Sequence, residues 1–356
     1  MSKQNLISKT IKSIEDKEFG IYFYTTDTKG NTLAGIANIY EHVRVLNDLG
    51  YKATILHDKN TYTPVKWLGE GYTDLPHMSI ESGGLKISPQ DFIIIPEVYS
   101  TVMEQLSKLP GTKIVMSQSY DLILELLPPG KSWADFGIKR CITTSESQAQ
   151  YINKLFSSKI ECDVIPISIP DYFKPTEKDK QPVVSVVCRE QMDLVKIFKT
   201  FYLKHPHLKW VTFRDMRNMP REVFANELSK SCVSVWVDDI AGFGTFPLES
   251  MKSNVPVIGK VPNMVPEYFT DKNGVWTYSL DSIPDLIANY VQTWLEDNEP
   301  QEMFEHMEKQ KDTYSVIDME KRTKEVYESI FISRINELNE ELNNLPKEVE
   351  ELKEDK

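Results

Sequence analysis

The sequence predicts an α/β protein of two Rossmann-like domains facing each other across a cleft, with a C-terminal helical tail. Three observations predict it. Short apolar runs of strand length alternate with helical stripes along most of the chain. The alternation stops at Pro170-Asp-Tyr-Phe-Lys-Pro-Thr-Glu-Lys-Asp-Lys-Gln-Pro182, a stretch of three prolines and alternating charges, and then restarts. At 356 residues the chain is long enough for two ordinary domains, each with its own core.

The elements follow in order. Phe19 to Thr25 is rich in aromatic and β-branched residues and predicts a buried strand. Beyond a loop holding Lys29-Gly-Asn-Thr, the stretch Ala34 to Leu49 places Ile36, Ile39, Tyr40, Val43 and Leu46 at three- and four-residue steps. That is a helical stripe, and Gly50 closes it. Tyr51 to His57 is the next strand, which completes the repeating unit of a parallel sheet. Lys59 to Pro89 has many Gly, Thr, Ser and Pro residues and no period, so it predicts an excursion over the surface. Phe92–Pro96, Lys113–Ser117 and Cys141–Thr144 are short and bounded by turn residues, as interior parallel strands are. Ser145-Glu-Ser-Gln148 has the form of a capping box opening a helix. Asp163 to Ile167 ends this half.

After the linker, Val183–Cys188, Leu208–Phe213, Cys232–Val237 and Val255–Gly259 read as strands. Met192–Leu203, Arg221–Ser229, Phe246–Lys252, Ile283–Leu295 and Glu302–Ile332 read as helices. The predicted division is a first domain over residues 1–169, a linker over 170–182 and a second domain over 183–305. A helix over 306–332 then returns to the first domain, and an acidic amphipathic tail occupies 333–356. Leucines at three- and four-residue steps from Asn336 suggest a helix or a short coiled coil, a route to oligomers, but Pro346 interrupts the pattern and a solvated tail is preferred.

Composition excludes several function classes. No apolar run approaches the ~18–20 residues that cross a bilayer, and the N-terminus has no apolar signal core, so a cytoplasmic protein is expected. Cys141, Cys162, Cys188 and Cys232 are widely spaced within apolar runs, the pattern of reduced core thiols. A net charge of −12 without a basic run argues against general nucleic-acid binding. His205 and His207 stand in a turn and make a poor metal site, and no HExxH, GxSxG or P-loop is present.

The segment with most chemical content runs from Asp238 to Lys260. A strand ends, Gly242-Phe-Gly244 makes a loop, and Thr245 and Pro247 stand where a helix begins. Free N–H groups at such a helix start attract phosphate. Glu249, one turn in, is placed to accept hydrogen bonds from sugar or ribose hydroxyls. Ligands of open α/β sheets bind beyond the carboxyl ends of strands. Arg189, Gln118 and the Gly30, Asn31 and Gly35 loop meet that condition too, although each is also an ordinary way to end a strand.

Gly242-Phe-Gly-Thr-Phe-Pro-Leu-Glu-Ser-Met251, then Asn254-Val-Pro-Val-Ile258, Val265-Pro-Glu267 and Asn273-Gly274, resembles the donor-binding region of retaining GT-B glycosyltransferases of the family 4 type. The match spans about 40 residues. The resemblance implies a nucleotide-diphosphate-sugar donor (UDP-, GDP- or dTDP-linked) held by the second domain, with Gly242, Phe243, Gly244, Thr245, Phe246, Pro247 and Glu249 around it. It implies an acceptor, a glycan or other hydroxyl compound, held mainly by the first domain near Gly30, Asn31 and Gly35. It also implies transfer with retention, no metal and no further cofactor. Arg189 matches the family's phosphate-binding arginine and Lys196 its lysine, given a small insertion. Gln118 is similar to a glutamine of rhamnosyltransferase-like members. The family's first motif glutamate falls eight positions before Glu249, where this chain has Ala241; Asp238 or Asp239 stands close by at the strand end. Two other readings stay open: a catalytically silent nucleotide-binding protein, suggested by Ala241, and a phage-type DNA-base glycosyltransferase, opposed by the acidity.

Overall fold

The computed structural model describes residues 2–238 and 243–345. The first sheet has strands β1 (Gly20–Tyr24), β2 (Lys52–His57), β3 (His77–Ser79), β4 (Phe92–Pro96), β5 (Thr112–Ser117), β6 (Arg140–Thr143) and β7 (Glu161–Val164). Its order is β3-β2-β1-β4-β5-β6-β7, parallel throughout. Helices α1 (Lys3–Glu15), α2 (Ala34–Asp48), α3 (Glu70–Thr73), α4 (Ser100–Leu106), α5 (Tyr120–Leu126) and α6 (Glu146–Leu155) belong to this half. The second sheet has strands β8 (Gln181–Val187), β9 (Thr212–Asp215), β10 (Ser231–Trp236), β11 (Val257–Lys260) and β12 (Val275–Thr277), in the parallel order β12-β11-β10-β8-β9. Its helices are α7 (Gln191–Lys204), α8 (Arg221–Ser229), α9 (Thr245–Lys252), α10 (Ile283–Leu295) and α11 (Gln301–Thr313), and α12 (Val316–Asn344) closes the described chain.

Both sheets are buried on two faces, which is why β4 and β10 contain no exposed residue. One hydrophobic cluster surrounds the second sheet, and two cover opposite faces of the first. The strand order reverses between β1 and β4 in the first sheet and between β8 and β10 in the second. A ligand crevice opens at each such switch point, beyond the strands' carboxyl ends.

Several sequence expectations change. The polar N-terminal stretch forms α1, because Ile7, Ile11 and Ile14 make a narrow buried stripe and Ser2 caps the helix by accepting from the Asn5 N–H. The surface excursion contributes the edge strand β3 and buries Val65 and Trp67. The capping box is only half formed. The Ser145 hydroxyl accepts from the Gln148 N–H, but the Gln148 amide donates to Ser117 Oγ at 2.9 Å instead of turning back to the cap. Residues 206–208 form a 3₁₀ turn, so β9 starts later than predicted.

The predicted single helix over 302–332 is two. It breaks at Tyr314, and Ser315 caps α12 through the Asp318 N–H. That helix then runs to Asn344 along the first domain. Phe331 sits 4.8 Å from both Phe19 and Phe92, ring to ring, and the His42 ring meets the Tyr327 hydroxyl at 3.3 Å. Leu338 is buried, and Lys3 pairs with Glu341. The leucine stripe expected to lie in solvent is instead covered by α1, since two matching apolar stripes bury each other. The rest of the tail, from Pro346, lies outside the described residues.

The linker is anchored. Phe173 is fully buried, Lys252 Nζ donates to the Ile169 carbonyl and Asp171, and the Ile169 N–H donates to the Tyr314 carbonyl. All four cysteines are free thiols, three of them buried.

Candidate active site between the two sheets

The two switch points face one another across a cleft of about 830 Å³, a volume typical of small-ligand sites. On the second-domain side, Arg189 follows β8 directly. Its N–H donates to Asp238 Oδ1 at 2.8 Å, and its Nε lies 3.8 Å from Asp238 Oδ2. This contact ties the ends of β8 and β10 together. The Arg189 side chain remains 62% exposed and lines the cleft. The turn into α9 lies alongside. Gly244 has φ +72°, a left-handed conformation open to glycine, and the Tyr268 hydroxyl donates to its carbonyl at 2.6 Å. Phe243 and Phe246 are buried wedges, against Tyr268 and Tyr314 and against Phe224 respectively. They hold the free amides at the start of α9 toward the cleft.

Glu249 is only 2% exposed, and one oxygen accepts from Arg221 Nη2 at 2.8 Å. Arg221 opens α8. A cation at a helix N-terminus opposes the helix dipole, so the placement requires a specific partner. Burial alone would lower the guanidinium, but Glu249 and Tyr172 more than offset this and hold it above its ordinary value. Phe173 stacks on the same guanidinium at 5.0 Å.

On the first-domain side, Glu97 follows β4 and is 3% exposed. One oxygen accepts from the N–H groups of Gln118 at 2.9 Å and Ser119 at 2.6 Å. Burial pushes this carboxyl from 4.5 up to about 7, against the pull of those N–H groups. A carboxyl raised on folding contributes stability that is full below about pH 4.5 and lost as the pH rises through 7. On the order of 3 kcal/mol is at stake. We therefore expect the wild type to lose stability relative to Glu97→Gln between pH 5 and pH 8 in urea melts. Parallel losses in the two proteins would show that Glu97 does not titrate there.

No protein-family model matches the chain. A curated relative, an alpha-1,6-glucosyltransferase of Actinobacillus pleuropneumoniae, is 26% identical over 223 residues, covering 62% of this chain and 66% of the relative, just under two thirds of its length. Among solved structures, the pneumococcal O-GlcNAc transferase GtfA in complex with UDP and GlcNAc superposes with a TM-score of 0.62 at 10% identity, over 88% of this chain and 99% of that one. HepE of Anabaena in complex with UDP-glucose gives 0.61 at 14% identity, over 87% and 99%. The chain has the GT-B glycosyltransferase fold.

In this GT-B chain the cleft gathers Arg189, Phe243, Gly244, Thr245, Phe246, Glu249, Gln118 and Gly35. It does not gather Lys196, which is 61% exposed on α7 and faces Asp193 one turn earlier at 3.6 Å. The insertion assumed for it does not turn it toward the cleft. Pro247 is buried inside α9, away from the cleft lining. Gly30 and Asn31 form an exposed turn, with the Asn31 amide donating to the Thr28 carbonyl, and also lie outside the lining. Gln118 lines the cleft but is committed: its amide donates to the Gly35 carbonyl and accepts from Asn38, clamping the start of α2. Asp239, Ala241 and Gly242 lie outside the described residues. Sequence reasoning missed Glu97 and Arg221. The first directly follows a predicted strand, and the second is an arginine at a predicted helix start, so both carried a legible signal. Among the described residues, no three His, Cys, Asp or Glu side chains gather as metal ligands would.

Proposed function

We propose that this chain is a glycosyltransferase that moves a sugar from a UDP-sugar to a hydroxyl acceptor, with retention and without a metal. The observation that carries the reading is the meeting, in one interdomain cleft, of Arg189, the α9 N-terminus and the Glu249–Arg221 pair opposite the loops of the first sheet. Arg189 and the α9 amides would receive the diphosphate, and Glu249 the ribose hydroxyls. As the bond between the anomeric carbon and phosphate breaks, negative charge grows on the leaving diphosphate, where these groups stand preorganised. The relative's name supports glycosyl transfer, and the UDP bound in one neighbouring structure and the UDP-glucose bound in the other support the choice of donor.

The test is donor turnover with a panel of UDP-, GDP- and dTDP-sugars, with the product anomer read by NMR and EDTA added in parallel. UDP-sugar turnover that survives EDTA and gives a retained anomer is expected. Arg189→Ala should lower it by roughly 10²–10³-fold, the usual cost of one transition-state charge contact. Lys196→Ala should stay within about two-fold, because its ammonium faces Asp193. Nucleotide binding without turnover of any donor would establish the silent-binder reading, for which Ala241 is the reason.

A further inference from the structure

We infer that the acceptor is an uncharged carbohydrate rather than a phosphorylated or carboxylated one; this rests on the glycosyltransferase reading above. The two walls of the cleft differ in charge. Its lining cations, Arg189, Arg217 and Arg221, all come from the second domain. Among the described lining residues of the first domain, Glu41 and Glu97 are the charged ones, and no lysine or arginine accompanies them. Lys29 and Lys66 are exposed and lie outside the lining. Arg44, which bonds Glu41, is shared with Asp48 and Glu320, so that cluster stays net negative.

The remaining surface of this wall suits a sugar. Leu33 is 50% exposed, and Leu68, Tyr72 and Tyr99 extend its apolar face. The Tyr72 hydroxyl donates to Glu41 at 2.5 Å, and the Tyr99 hydroxyl is bonded to Thr26 at 2.9 Å. With their hydroxyls so engaged, the rings offer mainly apolar surface, on which the C–H face of a pyranose packs. A phosphate or carboxylate here would meet like charge without an arginine to receive it. In the reaction an acceptor hydroxyl oxygen bonds to the anomeric carbon, the bond from that carbon to the donor phosphate oxygen breaks, and the hydroxyl proton leaves with the diphosphate. An uncharged hydroxyl compound satisfies this balance with no further reactant.

The experiment uses the full chain with UDP-glucose at pH 8 and paired acceptors: methyl glucoside against glucose 1-phosphate, and maltose against maltose 1-phosphate. UDP binding is measured separately by calorimetry, so a failure of the donor reading shows as no UDP binding. Saturation-transfer NMR of the same pairs with UDP present reads acceptor-side binding even if neither pair turns over. The neutral member should exceed its phosphate by at least about ten-fold in kcat/KM or in affinity, and Glu97→Gln should narrow that ratio at least about three-fold. Equal or stronger use or binding of the phosphates, binding of neither member alongside good UDP binding, or a ratio unmoved by Glu97→Gln would each overturn the inference.

Discussion

Arg221→Met should destabilise the protein by about 3–5 kcal/mol and abolish tight nucleotide binding. The reason is what the substitution leaves behind. Glu249 is 2% exposed, and one of its oxygens accepts from Arg221 at 2.8 Å. Methionine fills much of the arginine's volume beside Phe173 and Phe224, so packing loss is a minor part of the cost. The large part is a carboxylate held in the interior without its cation. A second variant separates this from general damage. Arg221→Met combined with Glu249→Leu removes both charges and should recover stability to within about 1 kcal/mol of wild type, as apolar replacements of buried pairs often do. Nucleotide binding should stay lost in the double variant, because the carboxylate proposed to meet the ribose is gone. Urea denaturation and calorimetry with UDP read the two effects. A single-variant loss under about 1 kcal/mol would mean that Glu249 is solvated and the pair is not what fixes it.

The fold was largely legible because parallel sheets announce themselves. Runs such as Phe92–Pro96 and Cys232–Val237, buried on both faces, are apolar throughout and need no partner information to be recognised. What was illegible depends on tertiary contact. The three isoleucines of α1 are too sparse to predict a helix until α12 supplies the surface they cover. The leucines near the end of α12 read as a solvated stripe for the same reason. β3 is three residues long and exists because β2 offers a free edge.

The site divides along a similar line. The sequence places Arg189 and the Gly244–Glu249 turn at the cleft because strand ends and helix starts are legible in it. Lys196 lies outside the cleft lining because a helix position fixes a direction, and its ammonium faces Asp193 one turn earlier. Glu249 was read as an open hydrogen-bond acceptor. Its burial and its arginine come from α8, distant in sequence, and no local pattern contains that contact.

Gly244→Ala should cost about 2–4 kcal/mol of stability and at least ten-fold in UDP affinity. Two penalties combine there. At φ +72° a side chain strains the backbone by roughly 1–2 kcal/mol. The added Cβ would also meet Trp236 Cζ2 at 2.7 Å and the Tyr268 hydroxyl at 3.1 Å. Neither can yield cheaply. Trp236 is 1% exposed and edges against Trp276, and the Tyr268 hydroxyl is fixed by donating to the Gly244 carbonyl. The turn itself must therefore move, and with it the first amides of α9 that face the cleft. Gly30→Ala is the matched control. Its φ is +83°, but a Cβ there meets nothing within 4 Å, so only the strain term of about 1 kcal/mol should appear, with UDP affinity unchanged. Equal affinity losses in the two variants would place Gly30 at the nucleotide after all. No affinity loss in Gly244→Ala would remove the α9 turn from the phosphate site.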